Sequence, residues 1–181
     1  MHGLLLLADG FEDTEALTTR DVLIRSGMKI TCASIKDDPL VTSSHGISFS
    51  INNKLLKDLD LNEYDFLILP GGGRGTQNLL ASELVSKTVH HFMAKHQLVC
   101  AICAAPMVLA KLGYLHNKKF TCYRGCENGL DGIYTGERVE RVDNIITGRS
   151  MLCSVDFALT IIEALQGKEQ REKIYDQING R

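Results

Sequence analysis

Tryptophan is absent, proline occurs three times and aromatic residues make up 6% of the 181-residue chain. With so little proline and no low-complexity tract, nothing marks a linker, and a single domain over residues 1–181 is expected. No internal repeat is present. The charges nearly cancel, 20 Lys and Arg against 22 Asp and Glu. That balance excludes a strongly basic surface, so no nucleic-acid partner is expected. No apolar run reaches membrane-spanning length, so no membrane partner is expected either. The start, Met1-His2-Gly3 and then Leu4 to Leu7, has neither a basic region nor a small-residue cleavage site and reads as a first strand. Six cysteines without a secretory signal point to reduced thiols in a cytoplasmic setting.

Metal and nucleotide signatures are missing too. None of the six histidines (His2, His45, His90, His91, His96, His116) falls in ligand spacing, and His90, His91 and His96 read as solvated on an exposed helix. Cys122 and Cys126 have no second pair to complete a zinc site. Gly71-Gly72-Gly73 is not followed by Gly-Lys-Ser/Thr, and no G-x-G-x-x-G follows the first strand. No metal and no cofactor are expected.

What is present alternates. Apolar runs at 3–8, 29–34, 64–69, 98–102, 120–123 and 144–147 read as strands. Helical patterns lie between and after them: Thr14 to Ser26, with Ala16, Leu17, Val22, Leu23 and Ile24 as core positions; Thr76 to His96, broken near Ala81-Ser82; Ala104 to Lys111; Leu152 to Leu165; and Lys168 to Ile178. Leu40 to Asn52 reads as a hairpin around Gly46, Leu55 to Leu61 as a short helix or turn, and residues 125–136 as a glycine-rich connection. Strands alternating with helices predict an α/β fold with a mainly parallel sheet and helices on both faces.

In such a fold, sites form outside the carboxyl ends of strands. Three predicted strand ends carry chemistry. The first leads to Glu12, Asp13 and Glu15, another to the glycine run, and the third to Cys103 in Cys100-Ala101-Ile102-Cys103-Ala104-Ala105-Pro106. Pro106 suits the first turn of a helix. Cys103 therefore sits at a strand-to-helix junction, where a side chain can be pushed into a cleft and a helix N-terminus favours a thiolate. A small apolar cysteine in the core fits the same position, as Cys32, Cys100 and Cys153 do in their apolar runs. Glu15 can serve the first turn of its helix or, beside Cys103, hold a proton that like-charge repulsion and burial keep in place. The glycine run can be a tight turn or a source of oxyanion-binding N–H groups, with the N–H of Ala104 as the second donor.

Four collinear stretches bear on these alternatives: Ala8-Asp9-Gly10-Phe11-Glu12-Asp13-Thr14-Glu15, Asp65 to Gly72, Ala101 to Pro106, and Asp156 to Leu165 with Gly167-Lys168. With them the chain resembles the ThiJ/PfpI superfamily, in its Parkinson disease protein 7-like branch, over nearly its whole length. The resemblance implies a flavodoxin-like three-layer sandwich, related to the class I glutamine amidotransferases, and a homodimer. It implies that Cys103 is the reactive, oxidisable cysteine, Glu15 its protonated partner, and Gly72 and Ala104 the oxyanion donors. The implied activities are a glutathione-independent glyoxalase or deglycase acting on a small aldehyde or ketoaldehyde, or redox sensing and chaperone-like protection without turnover. The chain departs from related patterns at several points. Ala104 stands where protease-like relatives carry His, and no late His-x-Glu occurs, which disfavours a peptide or amide hydrolase. Tyr123 replaces a cleft His and is left as a hydrogen-bond donor for a bound carbonyl. His45 replaces an Arg, and Gly148-Arg149-Ser150-Met151-Leu152 replaces a Ser-Arg-Gly-Pro-Gly stretch.

Overall fold

Strand residues of opposite parity face opposite sides of a sheet, and the apolar runs of this chain are apolar at both parities, as a sheet covered on both faces requires. The computed structural model describes residues 1–52 and 54–181. Its main sheet contains β1 (His2–Leu7), β2 (Lys29–Ser34), β5 (Phe66–Leu69), β6 (Leu98–Ile102), β9 (Val139–Val142) and β10 (Ile145–Gly148). The order is β2-β1-β5-β6-β10-β9. All neighbours are parallel except β9, which pairs antiparallel with β10, Ile145 opposite Val142. The parallel part has the flavodoxin-like order.

The two faces are two cores. Leu5, Leu7, Ile68, Cys100, Ile102 and Ile146 point to the side covered by α1 (Asp13–Arg25), α5 (Ser154–Gln166) and α6 (Lys168–Ile178). Leu4, Leu6, Leu67, Leu69, Val99 and Ala101 point to the side covered by α2 (Gly73–Ala81), α3 (Glu83–Ala94) and α4 (Pro106–Lys111). The expected three-layer α/β sandwich is the fold observed. The hairpin is β3 (Leu40–Thr42) with β4 (Ser48–Ser50), and the segment after it makes single 3₁₀ turns at Leu56–Asp58 and Leu61–Glu63.

Some local expectations are corrected. In α1, Glu15, Ala16, Thr19, Val22 and Leu23 are buried, whereas Leu17 and Ile24 are exposed. Leu17 and Ile24 are seven residues apart and share a stripe on the outer side of the helix. Residues 120–123 do not form a sheet strand. Only β7 (Lys119–Phe120) is extended, pairing in parallel with β8 (Ile133–Tyr134) inside the glycine-rich connection. The chain leaves it because Thr121 donates its backbone N–H to Thr147 Oγ1 (3.0 Å) and Tyr123 donates to Cys103 O (2.8 Å). His91 is not fully solvated; it is half-buried, with Nε2 enclosed. Cys32 is half-buried rather than core, unlike Cys100 and Cys153.

Candidate functional site

The connection after β1 leads to α1 on one face of the sheet, and the connection after β5 leads to α2 on the other. A crevice opens at such a divergence. The two loops are locked together: Glu12 N–H donates to Gly71 O (3.1 Å) and Gly75 N–H to Gly10 O (3.0 Å). Gly72 lies between them at φ +91°, and a Cβ there would stand 2.3 Å from Gly10 O and 2.8 Å from Glu12 N. Both the backbone angle and the space demand glycine.

Glu15 enters this crevice from the first turn of α1. The carboxylate of Glu12 caps the helix by accepting the Glu15 N–H (2.6 Å), so Glu15 is not needed as a cap. Its side chain is buried (1% exposed). Oε2 accepts the N–H of Gly71 (2.8 Å), while Oε1 is enclosed with no hydrogen-bond partner among the described residues. Burial pushes the carboxyl up to about 7, against the opposing influence of the nearby Cys103 thiol and the Gly71 N–H and with a small addition from the charge of Glu12. Around neutral pH this carboxyl both holds and releases a proton.

Cys103 is held at φ +64°, in the left-handed region that non-glycine residues rarely adopt. Its neighbours fix it there. Cys103 N–H donates to Gly148 O at the end of β10 (2.8 Å), Cys103 O accepts from Tyr123, and Ala105 N–H donates to Ile102 O (3.1 Å). The sulfur is thereby turned out of the β6 register toward Glu15. It is half-buried, and the backbone N–H groups of Gly72 and Ala104 lie on the side that favours its thiolate. Burial, followed by the charge of Glu15, pushes the thiol well above its ordinary range; the two amides oppose this. The helix-terminus effect expected from sequence does not dominate, because α4 begins only at Pro106 and spans six residues. Thiol and carboxyl form a coupled pair. A proton on Glu15 removes the repelling charge and favours the thiolate, and a proton on sulfur favours the carboxylate.

Gly71 is the wedge between them. A Cβ on it would lie 2.7 Å from Cys103 Cβ, 2.7 Å from Glu15 Oε2 and 2.9 Å from Ile102 O. Sequence reading singled out Gly72 and passed over Gly71, whose N–H binds Glu15, and Gly148, whose carbonyl anchors the elbow. Only the position of each at a strand end could have signalled them.

The other expected residues are placed differently. Ala104 is buried beside Cys103. Tyr123 contributes its backbone N–H to the elbow, but its side chain is exposed (54%). His45 is exposed and bonds Asp13 Oδ2 through Nδ1 (2.9 Å), next to Ser44. That contact raises His45 above its ordinary range. Among the described residues no histidine is hydrogen-bonded to the Cys103 sulfur, so no Cys–His pair forms. Ligand atoms of Glu12, Asp13 and His45 lie within 4.8 Å of one another. Those of Glu12 and Asp13 are already engaged, in the helix cap and in the His45 contact.

The fold and this corner together define a class: flavodoxin-like α/β sandwiches with a cysteine at a strained strand-to-helix turn, facing a buried carboxyl across a glycine loop. The DJ-1/PfpI family pattern matches residues 2–164, and the chain belongs to that family. It is 33% identical over 174 residues to Protein dj-1beta of Drosophila melanogaster, covering 94% of this chain and 92% of that protein. It is 28% identical over 176 residues to Glutathione-independent glyoxalase DJR-1.2 of Caenorhabditis elegans, covering 94% and 91%. The crystal structure of Drosophila melanogaster DJ-1beta superposes with a TM-score of 0.92 at 32% identity, over 98% of this chain and 96% of that one. Among the described residues, no helix is long and apolar enough to cross a membrane.

Proposed function

We propose that this protein is a cysteine-dependent stress-response enzyme that converts small α-oxoaldehydes to hydroxy acids without glutathione. The observation that carries the reading is the buried Glu15 carboxyl, poised near neutral pH against the Cys103 sulfur. The thiolate of Cys103 adds to the aldehyde carbon, forming a C–S bond and placing negative charge on the former carbonyl oxygen. The N–H groups of Gly72 and Ala104, which favour the thiolate in the free protein, are the donors available to that oxygen. Glu15, which holds the proton when sulfur is the thiolate, delivers it to the oxygen to give a hemithioacetal. As the carboxylate it then removes the proton from the former aldehyde carbon and returns it to the neighbouring carbon, while the hemithioacetal hydroxyl proton passes to the oxygen on that neighbouring carbon, so that the hemithioacetal becomes the thioester of a hydroxy acid. Water cleaves the thioester, releasing the hydroxy acid and restoring the thiol. The net change is addition of one water to the oxoaldehyde. Tyr123 is the hydrogen-bond donor at the mouth for the second carbonyl. Methylglyoxal incubated with the purified protein yields lactate; formation that persists in Cys103→Ser rejects the mechanism.

A second reading, redox sensing without significant turnover, draws on the same sulfur. Peroxide converts the thiolate to sulfenic acid, with water or hydroxide as the reduced product, and a second equivalent yields the sulfinic acid. The Gly72 and Ala104 amides and a protonated Glu15 are donors suited to its oxygens. Mass spectrometry after graded peroxide distinguishes it: Cys103 oxidises before Cys32 or Cys153. The protein works as one domain in the cytoplasm and as a homodimer. The exposed apolar side chains Ile24, Val155 and Tyr175, on the α1–α5–α6 face, support the dimer, and sedimentation velocity tests it.

A further inference from the structure

Behind the turn that carries Glu12 lies a second cavity, of about 450 Å³, between α1, β2 and the β4 strand of the hairpin. This is within the range of small-molecule pockets. Its walls are apolar: Phe11, Leu17, Ile30, Phe49 and Ile51. Thr31, Ser50 and Asn52 add neutral polar groups, and two cations, Arg20 and Lys54, also line it; the lining contains no carboxylate although the chain as a whole carries a net charge of −2. Among the described residues neither cation is in an ion pair. Instead Arg20 shares the lining with Cys32, the half-buried thiol that departs from the core expectation and that burial pushes above its ordinary range against the charge of Arg20. A neutral thiol neutralises none of that charge. The result is a mainly apolar cavity with two exposed positive groups at its edge and no ion-pair partner for either among the described residues, separate from the sulfur of Cys103.

We propose that this cavity is a binding site for a small amphipathic monoanion, a single carboxylate on an aliphatic or aryl body. The body fills the space between Phe11, Ile30 and Phe49, and the carboxylate meets Arg20 in the bidentate geometry that guanidinium favours, with Lys54 as a second point charge. Nothing in the Cys103 chemistry depends on this site, and the site does not depend on that chemistry.

Octanoate, 1-octanol and octylammonium, titrated calorimetrically into the intact protein, test the proposal. Octanoate binds at least tenfold more tightly than octanol, and octylammonium does not bind. In the Arg20→Met, Lys54→Met double variant the octanoate advantage falls to less than twofold while octanol binding is retained, which shows that the cavity survives the substitutions. Bound octanoate slows alkylation of Cys32 at least fivefold, leaves Cys103 alkylation unchanged, and binds Cys103→Ser as it binds the parent. Equal binding of octanoate and octanol, unchanged octanoate affinity in the double variant, or no protection of Cys32 overturns the proposal. So does a Cys32 that is unreactive without ligand and becomes reactive only on dilution to monomer, since a second copy then covers the cavity.

Discussion

Cys100 and Cys103 lie three residues apart on one strand and its exit, yet they occupy opposite chemical situations. Cys100 is wholly enclosed in the register of β6, paired across to Ile68 of β5 and Ile146 of β10. Burial pushes its thiol far up against the charge of Arg141, and among the described residues no carboxyl or amide donor acts on it. Cys103 has left the register at φ +64° and is half-buried. It meets Glu15 and two backbone donors. The residue type is the same; the difference is where the ladder ends. Inside a strand every backbone donor is spent on the sheet. One step past its end, Gly72 and Ala104 have N–H groups to aim at sulfur.

The comparison is tested most severely by exchanging each sulfur. Cys103→Ser is expected to lower lactate formation from methylglyoxal on the order of 10³-fold or more with unchanged melting behaviour, because nucleophile and donors act as a unit. Cys100→Ser is expected to leave a buried hydroxyl unpaired, costing about 1–3 kcal/mol in denaturant unfolding with turnover per folded molecule nearly intact. If both variants lose activity alike, the division between core and site thiol is wrong.

Glu15 gives the next largest effect. Glu15→Gln keeps the shape but cannot shuttle a proton, and turnover should fall about 10²-fold or more. Gly71→Ala sharpens the spatial claim: its methyl would overlap both Cys103 Cβ and Glu15 Oε2. It should destabilise by about 1–3 kcal/mol, as overpacking does, and abolish turnover together with the selective alkylation of Cys103.

The comparison also reaches stability against pH. The Glu15 carboxyl titrates at about 7 in the folded chain, above the 4.5 of an ordinary glutamate. The folded state therefore binds more protons than the unfolded state between these values, and stability falls as pH rises through that window. The contribution is fully present below about 4.5 and is lost above about 7. At roughly 1.4 kcal/mol per pKa unit it is on the order of 3 kcal/mol. Urea unfolding from pH 5 to 8 should show this slope in the parent and lose it in Glu15→Gln. An equal slope in both assigns it elsewhere.

The layers of the fold were legible because apolar runs, glycine stops and caps are local signals. Gly27, Gly113 and Gly167 end helices where the sequence places their ends, and the break near Ser82 is real, since Ser82 caps α3 by accepting the Val85 N–H. The illegible parts are tertiary. Leu17 and Ile24 look like core until the helix is rotated against its neighbours. β9 has the polar pattern of an edge strand, and residues 120–123 have β-forming side chains but spend their N–H groups on Thr147 and Cys103. Gly71 looks like one glycine among three.

By itself the sequence determined the element order, the two-faced parallel sheet and the family, because these follow from periodicity and from motifs contiguous in the chain. Tertiary structure alone decided that Glu15, Gly71, Gly72, Ala104 and Cys103 share one corner, and that the thiol is pushed up rather than down. Desolvation and the proximity of a carboxyl fifty-six residues from its Gly71 donor arise only when the loops at the switch point close on one another.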